Sequence, residues 1–217
     1  MIKKFIAFTL AELMLVMGII GVVAAIAIPA MRTDLDEQKT VAQLRKIAVD
    51  LQDSYTAMVE KYGEPYSWVT SSTTSAQFAS MLTSRLAEFL NTSATTSNSI
   101  TLKDGTYIDL SYFSSFDCSN ILSAITYYDD KYYPHKIGEI YVDVNGLKNP
   151  PNDVGLDRFR FIISKNGIEP EGYNASSEGI MFSGTSEYNT AWVIKTGNMD
   201  YIRCADSLDW STKRTCD

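Results

Sequence analysis

The chain has 217 residues and one long apolar stretch near its N-terminus, leaving about 190 for a single medium domain able to bury its own core. Its 19 Lys and Arg face 26 Asp and Glu, a formal net charge of −7, which repels phosphate backbones and argues against nucleic acid as a general partner. A single histidine, His135, with no HExxH, GxSxG, CxxC or phosphate-cradling glycine loop leaves histidine-zinc and triad chemistry without their parts, so no enzyme is expected.

The first thirty residues set the terms for the rest. Between Leu13 and Met31 nineteen residues carry no charge, which at about 1.5 Å per residue covers roughly 28 Å, close to the thickness of a bilayer core. No later segment is long and apolar enough to cross, so one crossing is expected, with Lys3 and Lys4 holding the short N-terminal flank on the cytoplasmic side. A secretory signal would share the basic start, the apolar run and the small residues Ala24, Ala25 and Ala27. The run is long for that purpose, and Glu12 sits near its start, where a charge opposes insertion by up to ~3 kcal/mol. A carboxylate retained there implies a counter-charge.

The residues KKFIA-FTLAELMLVMGIIGVVAAIAIP resemble the N-terminus of type IV pilins and type II secretion pseudopilins, with F-T-L-x-E followed by a long apolar helix. The resemblance implies that a prepilin peptidase cuts between Ala7 and Phe8 and that the new amino group of Phe8 is methylated. Ala7 stands where the family usually has Gly. The expected division is a leader over 1–7, a membrane and filament-core helix over 8–30 and an extracytoplasmic pilin-like domain over 31–217. Loss of Lys3 and Lys4 with the leader takes the net charge from −7 to −9. By the same resemblance Glu12 pairs with the N-terminal ammonium of a neighbouring subunit, supplying the counter-charge that an apolar filament core demands. The implied partners are copies of this chain or other pilins, the peptidase and an inner-membrane assembly platform. Gly18 and Gly21 each lower helix propensity by roughly 1 kcal/mol relative to Ala, and Pro29 lacks a backbone donor, so a bend is expected near Pro29. In the family such a Gly-to-Pro segment can lose helical order as subunits pack; close helix packing at small residues is the plainer use.

Beyond Met31, Leu35, Val41, Leu44, Ala48, Leu51, Tyr55, Met58 and Tyr62 recur at helical spacing. One helix is expected from about Phe8 to Tyr62, ended by Gly63, Glu64 and Pro65. The Ser, Thr and Asn of 67–75 and 91–99 read as exposed loops around a short helix whose inner face is Phe78, Met81, Leu82, Leu86, Phe89 and Leu90. A hairpin follows, from Ile100 to Phe113 with its turn at Lys103-Asp104-Gly105. Tyr127, Tyr128, Tyr132 and Tyr133 read as packing tyrosines, with sugar or partner contact the alternative. Strands are expected over 137–142, 158–164, 179–183 and 191–195, giving an α+β domain in which an antiparallel sheet of about four strands packs on the long helix.

The loop from Asp143 to Asp157 crowds oxygen-bearing side chains between two strands. Asp143, Asn145, Asn152 and Asp157, with backbone carbonyls and water, could supply the six to eight hard ligands of a calcium ion, although EF-hand spacing is absent. Some pseudopilins carry calcium in a C-terminal loop of the sheet domain. The alternative is a turn with Asn145-Gly146 at positive φ and the Asp side chains capping amides. Cys204 and Cys216 are the expected disulfide, stabilising by roughly 3 kcal/mol or less, while pairings through Cys118 stay open. In pilins such a loop forms part of the exposed, subunit-contacting edge; here Trp192, Tyr201 and Trp210 would pack over it. The function expected is a structural subunit of a type IV pilus or type II secretion pseudopilus. The alternatives are a membrane-tethered extracytoplasmic binding protein with the same anchor, or a DNA-uptake pilin, which would need a basic patch.

Overall fold

The structure, a computed structural model, describes residues 9–68, 70, 73–111, 137–164, 167–174, 179, 180, 186 and 188–216. Ala7, Phe8, Cys118, His135 and the four tyrosines 127, 128, 132 and 133 lie outside the described residues, as do the side chain of Pro29 and the end of the strand expected over 179–183. The chain forms two compact units, residues 1–39 and 40–217.

One helix, α1 (Leu10–Tyr62), contributes to both units and is assigned helical throughout, Pro29 included. In the first unit its 18 residues Leu10–Ala27 have a mean hydropathy of 2.5 and none of them is buried, so the segment is long and apolar enough to cross a membrane. Among the described residues a Cβ placed on Gly18 or Gly21 would meet nothing within 4 Å, so packing against them requires neither glycine. Leu35, expected on the packing stripe, is 60% exposed; the stripe that packs begins later.

In the second unit α1 buries Val41, Leu44, Ile47, Leu51, Tyr55 and Met58, spaced three or four apart along one face. Gly63 ends the helix at φ 77°, its N–H reaching back to the Val59 carbonyl. The helix α2 (Ser75–Ala87) starts with a capping box. Gln77 N–H donates to Thr74 Oγ1 at 3.3 Å while Thr74 N–H donates to Gln77 Oε1 at 2.9 Å. It buries Phe78, Leu82 and Leu86, as its spacing predicts; Met81, Phe89 and Leu90 are partly buried at its margin.

The sheet is a six-stranded antiparallel meander, β1 (Thr92–Thr95), β2 (Ser99–Leu102), β3 (Tyr107–Asp109), β4 (Gly138–Asp143), β5 (Arg158–Ser164) and β6 (Gly167–Pro170), in sequential order. Its register aligns Ile100, Ile108, Val142 and Phe159 in one row, all fully buried, and sets Ile140 beside Phe161. These rows meet the buried face of α1 in a single core. The four-strand expectation is corrected to six because two strands join at the edges: the segment 91–99, read as a loop, supplies β1, and Gly167–Pro170, not expected as a strand, supplies β6. The threonines of β1 suit an exposed edge, and its short, irregular pairing leaves little open ladder. The expected strand over 191–195 is instead part of a helix, α3 (Asn189–Thr196), ended by Gly197 at φ 79°. A short apolar run does not distinguish a strand from a buried helix, and Gly197 is the signal that decides it. A short helix α4 (Tyr201–Cys204), a two-stranded ribbon, β7 (Tyr173–Asn174) with β8 (Gly179–Ile180), and 3-10 turns at Pro65–Trp68 and Ala205–Ser207 complete the described elements.

Candidate functional site

Two places carry chemistry beyond packing. At the start of α1, Thr9 and Glu12 form a reciprocal cap. Thr9 N–H and Thr9 Oγ1 both donate to Glu12 Oε2 at 2.8 Å, Glu12 N–H donates to Thr9 Oγ1 at 3.2 Å, and the Thr9 carbonyl accepts the first helical bond from Leu13. Sequence reasoning sought a counter-charge and passed over this pair, although Thr9-Leu10-Ala11-Glu12 is a readable capping box. Glu12 is therefore satisfied locally at the helix end, where a negative charge also complements the helix dipole. The positions Ala7 and Phe8 lie outside the described residues.

The second place is the β4–β5 connection. Asp143 ends β4 with its side chain only 1% exposed, and its Oδ1 accepts from Gly146 N–H at 2.7 Å. Gly146 has φ 83°, and a Cβ on it would lie 2.4 Å from the Gly105 carbonyl oxygen, so only glycine fits this approach to the β2–β3 turn. The Asn149 amide braces the turn by donating to the Asn145 carbonyl at 2.6 Å. Asp157, 3% exposed, anchors the far side. Its Oδ1 accepts from Asp153 N–H at 2.8 Å, and its Oδ2 from Asn152 N–H at 2.9 Å and Asn145 Nδ2 at 3.2 Å. Asn152 adopts φ 54°, and its Nδ2 donates to the Leu147 carbonyl at 3.3 Å.

The four residues expected as a set are thus drawn together, and three of them carry an unmatched oxygen. Asp143 Oδ2, Asn145 Oδ1 and Asn152 Oδ1 are buried without a hydrogen-bond partner. Burial, and after it the neighbouring Asp157 carboxylate, pushes the Asp143 carboxyl above its ordinary range. Among the described residues no group of three or more His, Cys, Asp or Glu could hold a metal, so a metal here would rely on amide oxygens. That donor set is hard, and it fits calcium rather than zinc or copper. The turn reading also holds in part: Gly146 has positive φ, and both aspartates cap main-chain amides.

The C-terminal segment is bound into the same unit. Cys204 and Cys216 form the expected disulfide, with Cα atoms 5.9 Å apart. Asp200 accepts from Cys216 N–H at 2.8 Å through Oδ2 and pairs with Arg203 through Oδ1. Trp192 and Trp210 meet edge to face at 6.1 Å between ring centroids. Tyr201 reaches across to the loop, its hydroxyl donating to the Gly155 carbonyl at 2.7 Å. Elsewhere, buried Arg160 pairs with Glu139 and Glu171 at 3.2 Å each, tying β4 and β5 to the turn after β6. No family model, curated protein or solved structure matches the chain.

Proposed function

We propose that the chain is a structural subunit of a filament, of the type IV pilin or type II secretion pseudopilin kind. It is held in the bacterial inner membrane by residues 8–30, with residues 31–217 outside the cytoplasm, and is then drawn into the filament. The observation that carries this reading is the exposed apolar surface of Leu10–Ala27 with a carboxylate at its head. Such a surface suits lipid or other apolar helices around it, and the second environment gives the carboxylate a use beyond its cap with Thr9. A plain anchor would insert more readily without Glu12. In a filament, the carboxylate could meet the ammonium of a processed neighbour.

Glu12→Gln tests this reading, because Gln preserves the capping box while removing the charge. The expected result is normal membrane insertion with loss of incorporation into sheared filaments or the secretion complex. Unchanged incorporation would favour a tethered binding protein. For a DNA-uptake pilin, retention of DNA in a low-salt filter assay is the discriminating result, and the acidic balance predicts none.

A second element of the proposal is calcium in the β4–β5 connection, favoured by the three buried oxygens without partners. Bound there, the ion would neutralise Asp143 and stabilise the folded unit by mass action. The residues themselves fix the turn, and the ion would remove the electrostatic cost of closing it.

A further inference from the structure

We infer that this loop divides a calcium site between three ligands and one positioning residue: Asp143 Oδ2, Asn145 Oδ1 and Asn152 Oδ1 take the cation, and Asp157 holds two of them in place without binding it. The inference rests on the calcium reading above.

The assignment follows from where the N–H groups point. Asp157 receives three of them, from Asn145, Asn152 and Asp153, which fills three of its roughly four acceptor sites. The positive ends of those N–H dipoles face Asp157 and disfavour a cation beside it. One of those bonds orients the Asn145 amide, another fixes the Asn152 main chain, and the Leu147 carbonyl orients the Asn152 amide. Asn145 must turn its nitrogen toward the carboxylate, since its oxygen would be repelled there, and this leaves Oδ1 on the other side of the amide. Asn152 must likewise turn Nδ2 to the Leu147 carbonyl, leaving its Oδ1 unmatched. Asp143 uses Oδ1 on Gly146 and keeps Oδ2 free at 1% exposure. A buried half-satisfied carboxylate beside a second carboxylate is costly, and a divalent cation reverses the sign of that interaction.

One carboxylate oxygen and two neutral amides, completed by main-chain carbonyls or water, make a hard and adaptable set. Calcium tolerates irregular geometry, whereas magnesium demands a near-ideal octahedron and gives up water reluctantly. So low a ligand charge places the affinity toward the roughly 10⁻⁴ to 10⁻³ M range of extracellular modules.

The test melts the full-length chain in detergent micelles, in chelator and in excess calcium chloride, and counts waters on bound terbium(III) from luminescence lifetimes in H₂O and D₂O. The native chain is expected to melt higher in calcium than in chelator, with magnesium a weaker substitute. Asp143→Asn should lose the calcium increment while its chelated form melts no lower, since a buried unmatched charge has been removed. Asn145→Ala and Asn152→Ala should each weaken binding at least tenfold and add a terbium-bound water. Asp157→Asn should behave differently: the chelated form melts lower, calcium binds roughly 10- to 100-fold more weakly, and the water count stays fixed. A native melt identical in chelator and calcium overturns the calcium reading itself. A calcium-responsive chain in which Asp157→Asn spares the chelated melt and adds a bound water overturns the division of roles alone.

Discussion

At the scale of single residues, Glu12 joins a charge that the sequence announces to a capping role that sequence reading missed. Its charge is unusual in an apolar helix, and its position three after Thr9 makes it half of a cap. Thr9→Ala removes the cap and keeps the charge, so it should cost about 1 kcal/mol at the helix start. Faster amide exchange at Glu12 and Leu13 in micelles is the expected sign, with incorporation reduced less than by Glu12→Gln. Asp209 offers a second residue-scale outcome. Hydrogen bonds from the Ser211 and Thr212 side chains, then from their main-chain amides, hold its carboxyl down at about 2. A depressed value means that the C-terminal turn is stabilised above the ordinary carboxylate value and loses that support as pH falls through about 2. Trp210 fluorescence should report a transition in that acid range, and Asp209→Asn should abolish it. The Ser and Thr spacing behind this turn is legible in the sequence as an Asx motif, but nothing in a linear reading singles it out from other polar turns.

At the scale of elements, periodicity places α1, α2, β4 and β5 correctly from their runs of apolar residues, and the short β2–β3 hairpin is placed by its Lys103-Asp104-Gly105 turn. Periodicity fails where the pattern is short. Ala191-Trp192-Val193-Ile194 fits a buried helix as well as a strand, and Thr-rich β1 has no apolar face to announce it. The expected core stripe also reaches one residue too far, since Leu35 lies sixteen residues before Leu51, roughly 160° around a helix that turns about 100° per residue, and is exposed. Leu51→Ala should therefore destabilise the folded unit by roughly 2–5 kcal/mol, whereas Leu35→Ala should stay within about 0.5 kcal/mol, both read from denaturant midpoints. Gly146→Ala tests the join between the β2–β3 turn and the β4–β5 connection. Its Cβ would press on the Gly105 carbonyl at φ 83°, and a loss of roughly 1–3 kcal/mol is expected. The calcium candidates were visible as a crowd of oxygens. Which oxygens are left over was not, because that depends on where Asp157 sends its bonds.

At the scale of the whole molecule, the two units have opposite surfaces. Residues 10–27 expose nearly every apolar side chain they have, while residues 40–217 enclose a core and close their C-terminal segment with the Cys204–Cys216 bridge. Among the described residues only the second encloses a core, and the first presents an apolar face suited to an apolar environment. An account in which that environment is lipid first and neighbouring subunits later makes a specific demand on the mature N-terminus. N-terminal sequencing and mass measurement of the chain recovered from a sheared filament fraction test it most directly. The expected result is a chain beginning at a methylated Phe8. A chain beginning at Met1, or cut among Ala24, Ala25 and Ala27 as a secretory signal would be, contradicts it.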